Sequence, residues 1–234
     1  MISAPSATGV IEAASDKAAS DKTGSMNYRI EGVGERLVPY AEGWQLQRSV
    51  HAGVVAGTQP DTCILLEHEP VYTAGKRTDP SERPADGTPV IDVDRGGKIT
   101  WHGPGQLVGY PILRLAVPMD VVGYVRRLEA TLIAVLADLG ADGYRVQGRS
   151  GVWAKVGFGD AKVAAIGVRV AEGVTMHGFS LNCSNSLAPY AGIVACGIRD
   201  AGVTTLSQLL GRTVHPREVL PLVQARLTEQ LVSA

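Results

Sequence analysis

The sequence predicts an α+β fold: a mixed, largely antiparallel sheet packed with helices. Three observations carry this expectation. Short β-branched runs are interleaved with longer stretches whose apolar residues recur every three or four positions, so strands and helices share one chain. The runs at 162–170 and 174–182 are joined only by Ala171, Glu172 and Gly173, a connection that suits an antiparallel hairpin. Regular strand–helix–strand alternation is missing, which argues against a doubly wound parallel sheet.

Taken in order, residues 1–25 are rich in Ala, Ser and Asp without apolar periodicity, and Met26 follows at once. They read as a flexible leader, a mis-assigned start or a vector-derived remnant, leaving 26–234 as a single domain. Residues 42–55 form a short helix with Trp44, Val50 and Val54 roughly aligned. Strands are expected at 62–67 (TCILLE), 89–93 (PVIDV) and 107–113 (LVGYPIL), with 77–88 as the most loop-like interior segment. The clearest helix is 121–139, where Val121, Val125, Leu128, Leu132, Val135 and Leu139 align, Asp120 can cap the start and Gly140 the end. A strand at 151–155 precedes the hairpin, and helices near 205–210 and 216–232 close the chain, Pro216 suiting a first helical turn.

Composition narrows the function. The 234 residues are 45% apolar and carry a net charge of −1, so neither disorder nor a basic field for nucleic acid or anionic membrane is expected. Three cysteines do not make a disulfide framework, no apolar run approaches the roughly 18 residues of a membrane span, and no signal peptide is visible. A reducing, cytoplasmic setting follows as the simplest reading. The unusual numbers are 28 glycines and two phenylalanines.

The glycines concentrate in 95–110, RGGKITWHGPGQLVGY, with His102 between Trp101 and Gly103. Backbone without side chains permits close ligand approach and positive φ, so this segment can wall a cleft; the alternative is a tight turn with a structural histidine. Dinucleotide and P-loop fingerprints fail: Val108 stands where the former needs glycine, and no GxxxxGK[ST] occurs. Lys162 opens the apolar run KVAAIG. Partial desolvation disfavours an ammonium and suits an amine to act as a base, whereas a strand-end lysine with its amine in water is the plainer reading. Among the thiols, Cys63 lies inside TCILLE and reads as inert core, Cys183 in LNCSNS has room to be exposed, and Cys196 sits in IVACGIRDAG after an apolar approach and before a glycine. No cysteine or histidine spacing asks for a metal.

Together these segments resemble the octanoyltransferase family, the lipoate-biosynthesis B proteins. Arg95, Gly96, Gly97, Thr100, Trp101, His102, Gly105, Gln106, Val108 and Tyr110 satisfy every fixed position of that family's sixteen-residue signature. The match continues through GRSGVW (148–153), KVAAIG (162–167), HGFSLN (177–182) and CGI (196–198), covering about residues 40 to 212. One departure is Ala195, where the family often has proline before its nucleophile.

The resemblance implies a fold like the biotin and lipoate protein ligase catalytic domains. It implies transfer of octanoyl from octanoyl-acyl carrier protein to a lysine of lipoyl domains, those of 2-oxoacid dehydrogenase E2 subunits and the glycine cleavage H protein, without a cofactor. Cys196 is then the acyl-accepting nucleophile and Lys162 its acid/base partner. Arg95, Gly96, Gly97, Lys98, Ile99, Thr100, Trp101 and His102, with Ala165, Ile166, Gly167, Gly178, Phe179 and Ser180, are expected to wall the acyl site, and His177 to orient Lys162 or the acceptor. Two rivals share the fold or the partners: an ATP-dependent lipoate or biotin ligase, which needs no nucleophilic cysteine, and a non-catalytic binder, which has no use for a Cys–Lys pair.

Overall fold

A computed structural model describes residues 26–85, 87–193 and 201–231. The leader and Cys196 lie outside the described residues. Eleven strands are described: β1 (Asn27–Glu31), β2 (Thr62–Leu66), β3 (Val71–Ala74), β4 (Val90–Asp92), β5 (Thr100–His102), β6 (Gln106–Ile112), β7 (Tyr144–Val146), β8 (Arg149–Val156), β9 (Gly159–Ala171), β10 (Val174–Asn182) and β11 (Gly202–Val203). The helices are α1 (Tyr40–Ala56), α2 (Val121–Asp138), α3 (Leu206–Leu210) and α4 (Pro216–Leu231). No described helix is long and apolar enough to cross a membrane.

The large sheet runs β1-β2-β6-β10-β9-β8-β7, with β11 added to β9; a smaller sheet runs β4-β3-β5. Among the described strands, only the β1/β2, β3/β4 and β9/β11 pairs are parallel. This is the α+β arrangement expected, and the hairpin is as read: Glu172 (φ 53°) and Gly173 (φ 76°) form a two-residue turn between Ala171 and Val174, both at positive φ as a tightly twisted hairpin requires.

Alternation sorts side chains to two layers. Cys63 and Leu65 of β2, Leu107 of β6 and Leu181 of β10 face α2 and α4, while Ile64, Leu66, Val108, Tyr110 and Ile112 face the α1 side. α2 is held as its sequence suggests: the Asp120 carboxylate accepts from Gly123 N at 2.7 Å, and the chain leaves the helix through Gly140 at φ 84°. Its buried stripe, Tyr124, Leu128, Leu132, Val135 and Leu136, packs against β8, β9 and α4.

Several expectations are corrected. The buried stripe of α1 runs Tyr40, Gly43, Gln47, Val50, His51 and Val54, and Trp44 is only half-buried, because this helix meets a polar part of β10 rather than a wholly apolar surface. β1, β3, β5, β7 and β11 are additions to the expected strands: β1, β3, β5 and β11 are short and pair with distant residues, and β7 is a three-residue strand that folds back on β8. Cys183 is fully buried, not exposed, because it lies just past the end of β10, with its peptide N–H bonded to Gly105 O.

Candidate active site

Four segments meet over the middle of β9 and β10. The glycine loop 95–99 and β5 form one wall, β9 and β10 the floor, and Gly148, Arg149 and Ser150 at the start of β8 the opposite wall. They enclose a cavity of about 250 Å³, just under the roughly 300–1,000 Å³ usual for small-ligand pockets.

Arg95 builds the first wall. Nearly buried, its guanidinium donates to Lys98 O (2.8 Å), Gly96 O (3.1 Å), Thr73 O (2.9 Å) and Thr73 Oγ1 (2.9 Å), so it folds its own loop and pins it to β3. The loop is anchored to the floor by Gly96 N donating to Val168 O at 2.9 Å. The floor needs its glycines: a Cβ on Gly178 would stand 2.2 Å from Gly109 O on the adjacent strand.

Lys162 reaches the cavity through an irregularity that no sequence pattern announces. In the β8/β9 ladder Val152 faces Ala164 but Trp153 faces Lys162, leaving Val163 as an extra residue. Strict alternation would put Lys162 on the same side as Ala164, which belongs to the α2/α4 core. The bulge returns Lys162 to the side of Ala165 and Gly167, and all three line the cavity. The lysine is 7% exposed, and its amine lies 4.7 Å from the centroid of the Trp153 indole, a cation–π seat. A second, narrow hollow adjoins it, bordered by Trp153, Ser180, Tyr190 and Ala201 to Val203. β11 pairs with Ala161 and Lys162, so the chain returns beside this lysine after residues 194–200, the stretch that contains Cys196 and is not described.

His102 and His177 line the cavity, and His68 stands behind, its ring centroid 5.8 Å from that of His102. His102 donates from Nδ1 to Gln106 Oε1 (2.7 Å), and the Gln106 amide donates to Asn182 Oδ1 (2.8 Å) and Tyr190 Oη (3.0 Å). Burial pushes the His102 imidazole down to about 3, with His68 nearby adding to the effect. His68, also held down by burial, to about 4, donates from Nδ1 to Val38 O (2.8 Å), so its Nε2 accepts from Tyr110 Oη (2.7 Å). His177 sits at φ 57°, its N–H bonded to Gln47 Oε1 (3.0 Å) and its Nε2 donating to Asp94 Oδ1 at 2.8 Å. Burial lowers the His177 imidazole. Burial alone would raise the Asp94 carboxyl, but the His177 bond and the charges of His177 and Arg169 outweigh it and hold it low.

Of the residues expected at the site, Arg95, Gly97, Lys98, Thr100, His102, Lys162, Ala165, Ile166, Gly167, His177, Gly178, Phe179 and Ser180 line the cavity. Gly96, Ile99 and Trp101 do not: Gly96 is bonded to β9, Ile99 is fully buried, and Trp101 alternates away from Thr100 and His102 on β5. His177, expected to orient Lys162 or the acceptor, pairs with Val168 well along β9, and its ring is bonded to Asp94. Sequence reasoning missed Tyr40, Arg77 and the Gly148–Ser150 wall as lining. The GRSGVW motif was a usable signal for the last of these, whereas Tyr40 and Arg77 belong to no motif and arrive by tertiary packing.

The chain matches the lipoyl protein ligase A/B catalytic domain over residues 39–228. It is 64% identical over 205 residues to an octanoyltransferase of Leifsonia xyli subsp. xyli, covering 86% of this chain and 91% of that protein. It is 62% identical over 209 residues to an octanoyltransferase of Clavibacter michiganensis subsp. michiganensis, covering 87% and 90%. In fold it is similar to a bipartite lipoate protein ligase of Thermoplasma acidophilum, with a TM-score of 0.64 at 14% identity over 88% of this chain and 84% of that one. A lipoate-protein ligase A bound with ATP superposes with a TM-score of 0.61 at 14% identity over 88% and 86%. The two ligases speak to the fold alone. The matched domain and the octanoyltransferase relatives place the chain in the lipoyl protein ligase A/B catalytic domain family, as an acyltransferase of the octanoyltransferase group.

Proposed function

We propose that this octanoyltransferase takes its acyl group from octanoyl-acyl carrier protein and delivers it to a lysine of lipoyl domains, on E2 subunits and the glycine cleavage H protein, through a thioester on Cys196. The observation that carries the reading is Lys162: an amine that a bulge turns out of the apolar core, 7% exposed, at one end of a cavity with aliphatic and aromatic lining from Val108, Ile166 and Phe179. Cys196 enters through its motif, and the return of the chain at β11 beside Lys162 supports the pairing.

The chemistry follows from a Cys–Lys pair. The Cys196 thiolate attacks the donor carbonyl, its new C–S bond replaces the donor's, and the donor thiol leaves with a proton from the Lys162 ammonium. The acceptor amine then attacks the cysteine thioester, Lys162 takes the proton that the amine loses, and the thiolate departs to leave an amide. Thioester reactivity drives both steps, so ATP is not consumed.

Intact-mass measurement after incubation with octanoyl carrier protein tests this. The expected result is an adduct of about 126 Da, an octanoyl group in place of the thiol proton, mapped to Cys196 and discharged by an acceptor domain. Full turnover by Cys196→Ser would overturn the thioester route, and free octanoate with ATP working as fast as the carrier-bound donor would favour the ligase route.

A further inference from the structure

The apolar side of the large sheet buries a carboxylate that the proposed mechanism does not use. Glu129 lies in the buried stripe of α2 and is 0% exposed. Burying a carboxylate costs several kcal/mol unless it is paired and hydrogen-bonded, so its partners show what it is for. Its Oε2 accepts from Arg126 Nη1 (2.7 Å) and Arg145 Nε (3.0 Å), and these guanidiniums satisfy the charge from the half-exposed rim. Its Oε1 reaches inward and accepts from the peptide N–H of Gly151 at 3.1 Å.

That peptide abuts the bulge. Gly151 sits at φ 110°, a conformation other residues rarely adopt, immediately before the register shift at Val152 and Trp153. A Cβ on Gly151 would stand 2.4 Å from Ala164 O and 3.4 Å from Lys162 Cε. A side chain on Gly151 would therefore press on the end of Lys162, which lies over the bare face of this glycine. We infer that Glu129 is a positioning residue for Lys162: its carboxylate clamps the Gly151 peptide from beneath the sheet and so fixes where the lysine amine stands in the cavity. The inference rests on the reactive role given to Lys162 above.

Two substitutions separate positioning from general support. Glu129→Gln retains an oxygen for Gly151 N–H. Glu129→Met removes the acceptor at similar volume, and Arg126 and Arg145, half-exposed, can return to water, so the fold has a route to survive. With an octanoyl carrier donor and an acceptor domain, Glu129→Gln is expected to keep kcat close to wild type. Glu129→Met is expected to lower kcat by about 10²-fold, the order of loss from displacing a reacting group by about 1 Å, with KM for both substrates unchanged and the basic limb of the pH–rate profile displaced. Placing Glu129→Met on Lys162→Ala is expected to add no further loss. A folded Glu129→Met enzyme with wild-type kcat and pH profile overturns the inference while leaving the proposed function intact. Wild-type turnover by Lys162→Ala overturns the role of Lys162 and this inference with it.

Discussion

On the side of the large sheet covered by α2 and α4, Cys63, Leu65, Leu107, Leu181 and Cys183 pack into one apolar core. On the other side, under α1, the glycine loop and the small sheet, neighbouring positions of the same strands carry Tyr110, His177, Ser180 and Lys162. The core on the first side is apolar throughout, whereas the second side joins these polar groups to a smaller apolar cluster that includes Ile64, Leu66 and Ile112. Apolar burial pushes the Cys183 thiol up to about 12 and raises Cys63 as well, which leaves both without thiolate at neutral pH. The side on which a strand presents a thiol or an amine sets how apolar its surroundings are. Two departures from the sorting, Lys162 turned back by the bulge and Glu129 buried on the apolar side, meet at Gly151.

The largest effect is expected from breaking the polar side at its proposed acid/base, Lys162. Lys162→Arg keeps the charge but cannot deprotonate, so the transfer rate should fall by about 10²–10⁴-fold, the usual worth of a general acid/base, with the far-ultraviolet circular dichroism unchanged. Wild-type rates would reduce Lys162 to an electrostatic role. The apolar side should respond in the opposite way. Leu132→Ala, at a fully buried position of α2, should lower the unfolding free energy by about 2–5 kcal/mol, read from urea midpoints, with activity per folded molecule retained.

Acid should separate the sides more gently. His68 and His102 are neutral in the fold, held down to about 4 and about 3, whereas an unfolded histidine titrates near 6.5. Between these values the unfolded chain binds more protons. Stability is therefore intact above pH 6.5 and falls as the pH drops toward 4, by about 1.4 kcal/mol per unit for each histidine. Urea titrations at pH 7 and pH 5 measure the difference, and equal midpoints would show that the two rings are protonated in the fold. The smallest effect belongs to the inert thiols: Cys183→Ala and Cys63→Ala should leave the octanoyl adduct and the transfer rate unchanged, and loss of the adduct from either would move the nucleophile to the apolar side.

Much of this was legible in the residues. The α2 helix declared both ends through Asp120 and Gly140, and the β9–β10 hairpin declared its turn through Glu172 and Gly173, because caps and tight turns are local chemistry. The glycine-rich signature and KVAAIG marked most of the segments that line the cavity. The same local logic did not show that Trp101 and Ile99, which sit in the signature, lie outside the cavity lining, or that the His177 ring is bonded to Asp94, distant in sequence.

The sequence alone thus determined the α+β class, the long elements, the family, and which kinds of side chain gather at the site, since each follows from periodicity, end chemistry or motif. Tertiary structure decided which side each of those side chains serves. Whether Lys162 faces the core or the cavity depends on one extra residue in the β8/β9 register, and that register shift lies beside a buried Glu129–Gly151 bond across two elements. Whether His68 and His102 carry charge depends on how deeply packing buries them. A few of the glycines acquire their purpose in the same way: bare backbone at Gly178 lets β10 lie close on β6, and at Gly151 it leaves room for the end of Lys162.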